Sequence, residues 1–467
     1  MGMDESEIRL RAGAAEDWDA ISDLMGYLFH ETQTAELRAS EGSVFEPERS
    51  IVAVDGEAIV GHAGAYTRDL TVPGGIVPAA HVTLVGVAPT HRRRGLLTRM
   101  MKRQLGEIAE AGREPVASLW ASETKIYPRY GYGHAAQQMR LQAMTREIRP
   151  PELPADGYDG RLRLVTPVDA IGEFAKVYEQ LRPDRTGWSS RDERWWKFVL
   201  DDPESHREGA TVLHGVVHDT PHGPTGYAIW RTLGRWEEYG PNAEILIREV
   251  TAADPQAYAA LWRFLLTIDL ARTAKASYLA LDEPLLHLVD EPRRLGTRVS
   301  DGLWIRVVDV PGALAARRYR CPIDVVFDVT DPLLPRNSGR WRLTGDPQTA
   351  SCTRTDDPAD LACTVLELGT AYLGGPSLAS LAAAGLVREL TPGALNAASM
   401  AFGWHRLPNP VETRSEMRPA AVGSRLWANP NVDAAGCVPH TPRRIRPGYP
   451  LRAPRRPRVL RPPTRPM

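Results

Sequence analysis

Three consecutive arginines, Arg92, Arg93 and Arg94, lie between two apolar runs in VTLVGVAPTHRRRGLL, Val82 to Leu97. Pro89 ends the first run as a strand, and Gly95 follows the arginines where a helix begins. Backbone N–H groups at such a turn point outward, and the helix dipole favours negative charge there. Arginine side chains add charge-assisted bonds to phosphate oxygens. The spacing from Arg92 to Gly95 brings the cations and a close-approach glycine onto one turn. A solvated basic helix start would use the same residue types. It would set cations against the positive end of the helix, where a purely structural choice favours Asp or Glu. Position therefore favours a phosphate cradle.

A second chemical stretch is ASETKIYPRYGYG, with Tyr127, Tyr130 and Tyr132. A positioned tyrosine can serve as a general acid, but each of the three is equally a packed aromatic with a satisfied hydroxyl. The pattern alone selects none of them. His62, His81 and His91 are scattered, and structural use is the expectation for each. Trp195 and Trp196 are expected to pack. No HExxH and no Cys/His grouping points to a metal.

The elements that must position these residues follow from periodicity. IRLRAGAAEDWDAISDLMGYLFH predicts a short strand, a turn and an amphipathic helix. Asp55-Gly56 marks a hairpin between two alternating apolar runs. AAHVTLVGVAP is a further strand, THRRRGLLTRMMKRQLGEIAEAG a helix closing at Gly112, and PVASLWASE the next strand. The order up to about residue 145 is β-α-β-β-β-α-β, an α/β layered domain with a mixed sheet. Residues 153–160, LPADGYDG, read as a linker. Beyond it a hairpin and a strand–helix–strand unit recur at an offset of about 160 residues. The copy has no RRRG. A third segment, from Asp301 to Leu407, is α+β; Pro311 starts a helix, and CPIDVVFDVTD and DLACTVLELGTAYLGG are strand-like. From Arg418 to Met467 the chain is rich in Pro and Arg and has no apolar period. That composition fits a disordered tail, a basic arm, or a GC-rich gene read in a wrong frame.

At 467 residues the prior is about three domains. The formal net charge is −1, which by itself suggests no nucleic-acid partner. Val411 to Met467 holds 12 Arg, no Lys and 3 acidic residues, so the rest of the chain is acidic. An acidic body suits a cationic small substrate. Four cysteines without CxxC spacing read as reduced thiols of a cytoplasmic protein. The acidic N-terminus lacks the apolar core of a secretory leader, and no apolar run reaches the length of a membrane span.

The pattern V-x-V-x-P-x-x-R-R-x-G-L-L between a strand and a helix resembles the acetyl-CoA-binding motif of GCN5-related N-acetyltransferases (GNAT). By that resemblance Val85, Gly86 and Val87 lie along the pantetheine arm. Arg92, Arg93, Arg94, Gly95, Leu96, Leu97 and Thr98 form the pyrophosphate turn, and Ala121 and Ser122 contact the cofactor. Leu97 departs from the small residue common there. The whole chain to about residue 407 is similar to the enhanced intracellular survival (Eis) family. The implied architecture is two tandem GNAT-type mixed-sheet domains, the second degenerate, followed by a sterol-carrier-like α+β domain. The expected boundaries are 1–150, 160–298 and 299–410, with a tail at 411–467.

The resemblance implies transfer of an acetyl group to primary amines of aminoglycoside, polyamine or lysine type, in a homohexamer. It puts the general acid on Tyr127, whose phenol titrates near a thiol and so can protonate a thiolate without a steep climb. The family's base is the chain's own terminal carboxylate, usually on a phenylalanine. Here the chain runs on to Met467, whose carboxylate would stand in that role on an unanchored tail, and loose positioning forfeits proximity. Glu412 and Glu416 are substitutes favoured by position alone. The expectation is acetyl-CoA binding with impaired amine acetylation. A non-catalytic acyl-CoA- or lipid-binding protein on the same scaffold is the alternative. A nucleic-acid-binding role of the tail ranks last, and no membrane association is expected.

Overall fold

The computed structural model describes residues 8–153 and 158–410. A first, seven-stranded sheet has the order Arg9–Ala12, Ile51–Asp55, Ala58–Val72, Gly75–Val87, Val116–Trp120, Leu303–Val307, Gly133–His134. Its first hairpin turns at Gly56, which takes φ 60 as the Asp-Gly signal requires. The second turns through Pro73 and Gly74, the latter at φ 65. The helix Leu96–Ala111 buries Met100, Met101, Leu105 and Ile108 on one face of this sheet and stops at Gly112, φ 64. The helix Trp18–Phe29 packs Ile21 and Met25 against Val52, Val54 and Leu84.

The second sheet has the order Arg298–Asp301, Gln137–Met144, Ala271–Leu279, Ala243–Ala252, Gly223–Leu233, His214–Thr220, Arg161–Val165. The recurring hairpin and strand–helix–strand unit are both here, the helix being Pro255–Leu266. Trp196 is fully enclosed in this unit's core with Phe174, Tyr178 and Tyr227. Trp195 instead packs edge-on to Tyr66 of the first sheet at 4.9 Å, beneath the Arg68 guanidinium.

The expected boundaries at 150 and 299 are corrected by strand exchange. Gln137–Met144 leaves the first domain and pairs between Ala271–Leu279 and Arg298–Asp301. In return Leu303–Val307, read with the third segment, fills the first sheet, antiparallel to Val116–Trp120 from Leu303↔Trp120 to Val307↔Val116. An alternating apolar run declares a strand but not its partner, because pairing is non-local.

The third unit is a five-stranded sheet, Ala350–Arg354, Gly339–Gly345, Ile323–Thr330, Leu361–Thr364, Arg388–Glu389, backed by helices including Val310–Ala316 and Ala394–Phe402. DLACTVLELGTAYLGG is a strand only to Thr364; Val365–Ala371 is helical. Thr364 and Glu367 form a capping box, the Glu367 carboxylate accepting from the Thr364 N–H at 2.8 Å. That T-x-x-E signal outweighs the apolar run around it. No helix among the described residues is long and apolar enough to cross a membrane.

Candidate active site

The strand Gly75–Val87 pairs in parallel with Val116–Trp120 only through Ala79, Ala80 and His81. Past that point the two strands part. On the other side, Thr83 pairs with Gly64 and Gly86 with His62, so Leu84 and Val85 face the single residue Ala63. This is a β-bulge, with Leu84 at φ 51. His62 Nδ1 lies 2.6 Å from the Leu84 carbonyl. Val85 is partly buried against the cluster that holds Tyr127. A Cβ on Gly86 would meet Leu28 at 2.3 Å, so glycine there lets the helix Trp18–Phe29 approach the bulge. Val87 pairs with Gly61.

After a single 3₁₀ turn, Pro89–His91, the basic segment enters the helix at Gly95. Arg93 (φ 64) and Gly95 (φ 75) are both left-handed, so the backbone folds into a tight concave turn. No side chain caps this helix, and its first turn carries no acid. The leading N–H groups therefore have no side-chain acceptor. Arg92, Arg93 and Arg94 are exposed and form no ion pair among the described residues. His91 has the structural use expected of it: Nε2 sits 3.0 Å from Asp55 and ties the turn to the first hairpin. Leu96 is buried and Leu97 partly so, the latter in the Tyr127 cluster.

The three tyrosines separate by environment. Tyr130 is held by Thr98, Oη to Oγ1 3.2 Å. Tyr132 is completely buried, and its hydroxyl has no partner among the described residues. Tyr127 opens the 3₁₀ turn Tyr127–Tyr130 and lies edge-on to Tyr132 at 5.9 Å. Its hydroxyl makes no hydrogen bond among the described residues, yet it is not sealed off as Tyr132 is. Burial pushes the Tyr127 phenol up to about 12. Ala121 joins the same cluster and Ser122 is exposed beside it, just past the end of Val116–Trp120. Strand, turn and tyrosine loop thus converge at the mouth of the parted strands. Of the cofactor and catalytic residues that the family resemblance implies, Met467 is not part of this convergence; with Glu412, Glu416 and the rest of residues 411–467 it lies outside the described residues.

The second domain shows how the same unit is closed. Its helix Pro255–Leu266 is capped by Asp254, whose Oδ1 accepts from the N–H groups of Gln256 (2.9 Å) and Ala257 (2.8 Å). A carboxylate occupies the place where an anion would sit, and it would repel one. Where Ala243–Ala252 and Ala271–Leu279 part, the space is a cavity of about 50 Å³ that includes Glu283, Tyr258 and Asn409. The Tyr258 hydroxyl donates to Glu283, whose carboxyl burial pushes up to about 7. That volume is far below a cofactor pocket of several hundred Å³.

The last described residues run toward the site. The Leu407 N–H donates to Asp282 at 2.9 Å and the Asn409 N–H to the Thr186 carbonyl at 2.9 Å. Pro410 lies against Gly302, where a Cβ would come within 2.9 Å of its Cγ. Gly302 adjoins Leu303, the partner of Trp120. Among the described residues no group of three or more His, Cys, Asp or Glu is placed to hold a metal.

The chain matches an acetyltransferase (GNAT) domain over residues 9–135, a second over 187–307 and a sterol carrier protein domain over 310–409. The second match ends on the exchanged strand Leu303–Val307, and the third begins just after it. The chain is 46% identical to an uncharacterized N-acetyltransferase of Streptomyces avermitilis, over 83% of this chain and 95% of that one. It is 34% identical to the N-acetyltransferase Eis of Mycobacterium tuberculosis, over 82% and 93%. The crystal structure of Eis1 from Mycobacterium abscessus superposes with a TM-score of 0.73 at 31% identity, covering 87% of this chain and all of that one.

Proposed function

The chain belongs to the Eis family of GNAT N-acetyltransferases, and we propose that its acetyl donor is acetyl-CoA and its acceptor a primary amine of aminoglycoside, polyamine or lysine type. The observation that carries this reading is the parted, bulged strand feeding an uncapped helix through three free arginines. The residues present fit the donor. Left-handed Arg93 and Gly95 open a concave turn of N–H groups toward a pyrophosphate, with Arg92 and Arg94 beside it. The backbone of Val85, Gly86 and Val87 borders the gap for the pantetheine arm, and Ala121 and Ser122 its far wall.

When bound, acetyl-CoA supplies a thioester that an amine can attack. Tyr127 Oη keeps its proton until one is needed at the departing sulfur, because burial disfavours the phenolate. The free-phenol match to a thiol shifts on burial, but a thiol shifts the same way. Cys352, in the core of the third unit, is raised to about 12, first by burial and then by the Asp309 charge. A thiol leaving into the same apolar cleft would be raised in the same direction as Tyr127.

The base, by family, is the carboxylate at the chain's terminus. What supports a base from that direction is the path of Leu407–Pro410 to Gly302, beside the partner of Trp120. Hexameric assembly and a cytoplasmic location complete the proposal, on family grounds.

The test is release of CoA thiol by the full-length protein given acetyl-CoA and an aminoglycoside or polyamine. Amine-dependent release with a mono- or poly-acetylated product is expected, slowed by the displaced terminus while acetyl-CoA binding stays intact. Tight acetyl-CoA binding without release for any amine would turn the reading toward the non-catalytic alternative.

A further inference from the structure

We propose that His62 is a positioning residue for the acetyl donor, because its imidazole locks the bulge that opens the cofactor strand. The proposal rests on the reading that acetyl-CoA lies along Val85–Val87.

Two registers of the pairing between Ala58–Val72 and Gly75–Val87 meet at His62 and Gly64. Opposite them Leu84 adopts φ 51, a region that a leucine rarely enters without being held. His62 is completely buried, and its Nδ1 is 2.6 Å from the Leu84 carbonyl oxygen. A carbonyl only accepts, so Nδ1 carries the proton. Nε2 is then the bare nitrogen, and it accepts the hydroxyl of Ser50 at 3.1 Å. One tautomer satisfies both contacts. Room for the ring comes from Gly64, whose Cβ would stand only 3.0 Å from Cε1 of His62. Burial drives the imidazole down to about 4, so the bulge is held by a neutral ring at neutral pH.

The consequence lies on the other edge of the cofactor strand. The Leu84 carbonyl is committed to His62, and pairing with Val116–Trp120 stops at His81 and Ser118. The strand stays parted where the pantetheine arm would enter. Without the lock, Leu84 relaxes toward ordinary β geometry and the bulge slides or closes. Val85, next to Leu84, borders the gap proposed for the pantetheine arm, so the loss is expected on the donor.

The experiment measures acetyl-CoA binding by calorimetry and both KM values for the full chain and for His62→Asn, His62→Gln and His62→Phe. His62→Gln and His62→Phe should raise the Kd and KM of acetyl-CoA by about tenfold or more, with the amine KM within about twofold. His62→Asn should recover most of the loss, since its amide nitrogen falls near the place of Nδ1. A folded His62→Phe that binds acetyl-CoA as tightly as wild type overturns the proposal and leaves the site reading intact. A wild-type chain that binds no acetyl-CoA overturns both. Should the variants fail to fold, ¹⁵N spectra of histidine-labelled wild type decide. An Nδ1–H tautomer for this residue over about pH 5 to 9 is expected, and an Nε2–H tautomer overturns the role.

Discussion

Tyr127 is set apart from its two neighbours by what their hydroxyls already do. Tyr130 is tied to Thr98 and Tyr132 is shut in, which leaves one phenol whose oxygen is neither bonded nor sealed. Replacing Tyr127 by Phe removes that oxygen and keeps the ring against Tyr132. A general acid is worth about 10²–10⁴ in rate, so kcat should fall at least about 100-fold while the Kd of acetyl-CoA stays put. Tyr130→Phe gives up one hydrogen bond and should cost about 1 kcal/mol of stability with little change in kcat. The pH profile checks the same assignment. The folded Tyr127 phenol, raised to about 12, is protonated at any pH below that value. It should therefore impose no falling limb on kcat until the pH nears that value. A drop in kcat near the ordinary tyrosine value of about 10 that is absent in Tyr127→Phe would keep Tyr127 in the role and overturn the burial shift, whereas a drop that persists in Tyr127→Phe would belong to another group.

At the scale of elements, the basic turn and its degenerate copy make a controlled comparison. Both are strand–turn–helix units next to a parallel strand, and they differ in what meets the helix N-terminus. Gly95 leaves it open and Asp254 fills it with a carboxylate. The joint replacement of Arg92 and Arg94 by Ala should raise the KM of acetyl-CoA by about 10–100-fold, a loss of about 1.5–3 kcal/mol. A short thioester that lacks the pyrophosphate, such as acetyl-N-acetylcysteamine, should be used equally well by wild type and variant. Equal losses with both donors would mean that the arginines serve the fold. Much of this unit is legible in the sequence, because Pro89, the glycines and the apolar period are local signals. The bulge is not. It depends on His62, which reaches the strand from the neighbouring one, and no spacing rule marks a buried imidazole that hydrogen-bonds a carbonyl 22 residues on. The exchanged strands Gln137–Met144 and Leu303–Val307 are likewise visible as strands and silent about their sheets. Thr364 and Glu367 did announce a helix, in a stretch whose apolar residues suggested a strand.

Among the described residues the strand Leu303–Val307 ties the first sheet to the third unit. Its Arg306 is fully buried and meets both oxygens of Asp331 at 2.8 Å, with Asn337 closing the network from the third unit. The third unit is thereby fixed to the sheet that carries the site. From its last helix, Ala394–Phe402, the chain then crosses the second domain. His405 and Arg406 lie 3.2 and 3.1 Å from Asp184, and the Leu407 N–H bonds to Asp282. These contacts are half-exposed, and such pairs contribute about 1 kcal/mol or less each. Their removal should scarcely move the thermal midpoint. They do fix a direction, because Asn409 and Pro410 follow and end against Gly302. If the crossing delivers a catalytic group to the amine, positioning is what it contributes, and positioning shows in rate before it shows in stability. The joint replacement of Asp184 and Asp282 by Ala should then lower kcat by about tenfold or more, with the acetyl-CoA Kd unchanged and unfolding little altered. An unchanged kcat in that variant would mean that the segment only ties the domains together. In that case the base must be sought among residues that line the parted strands themselves.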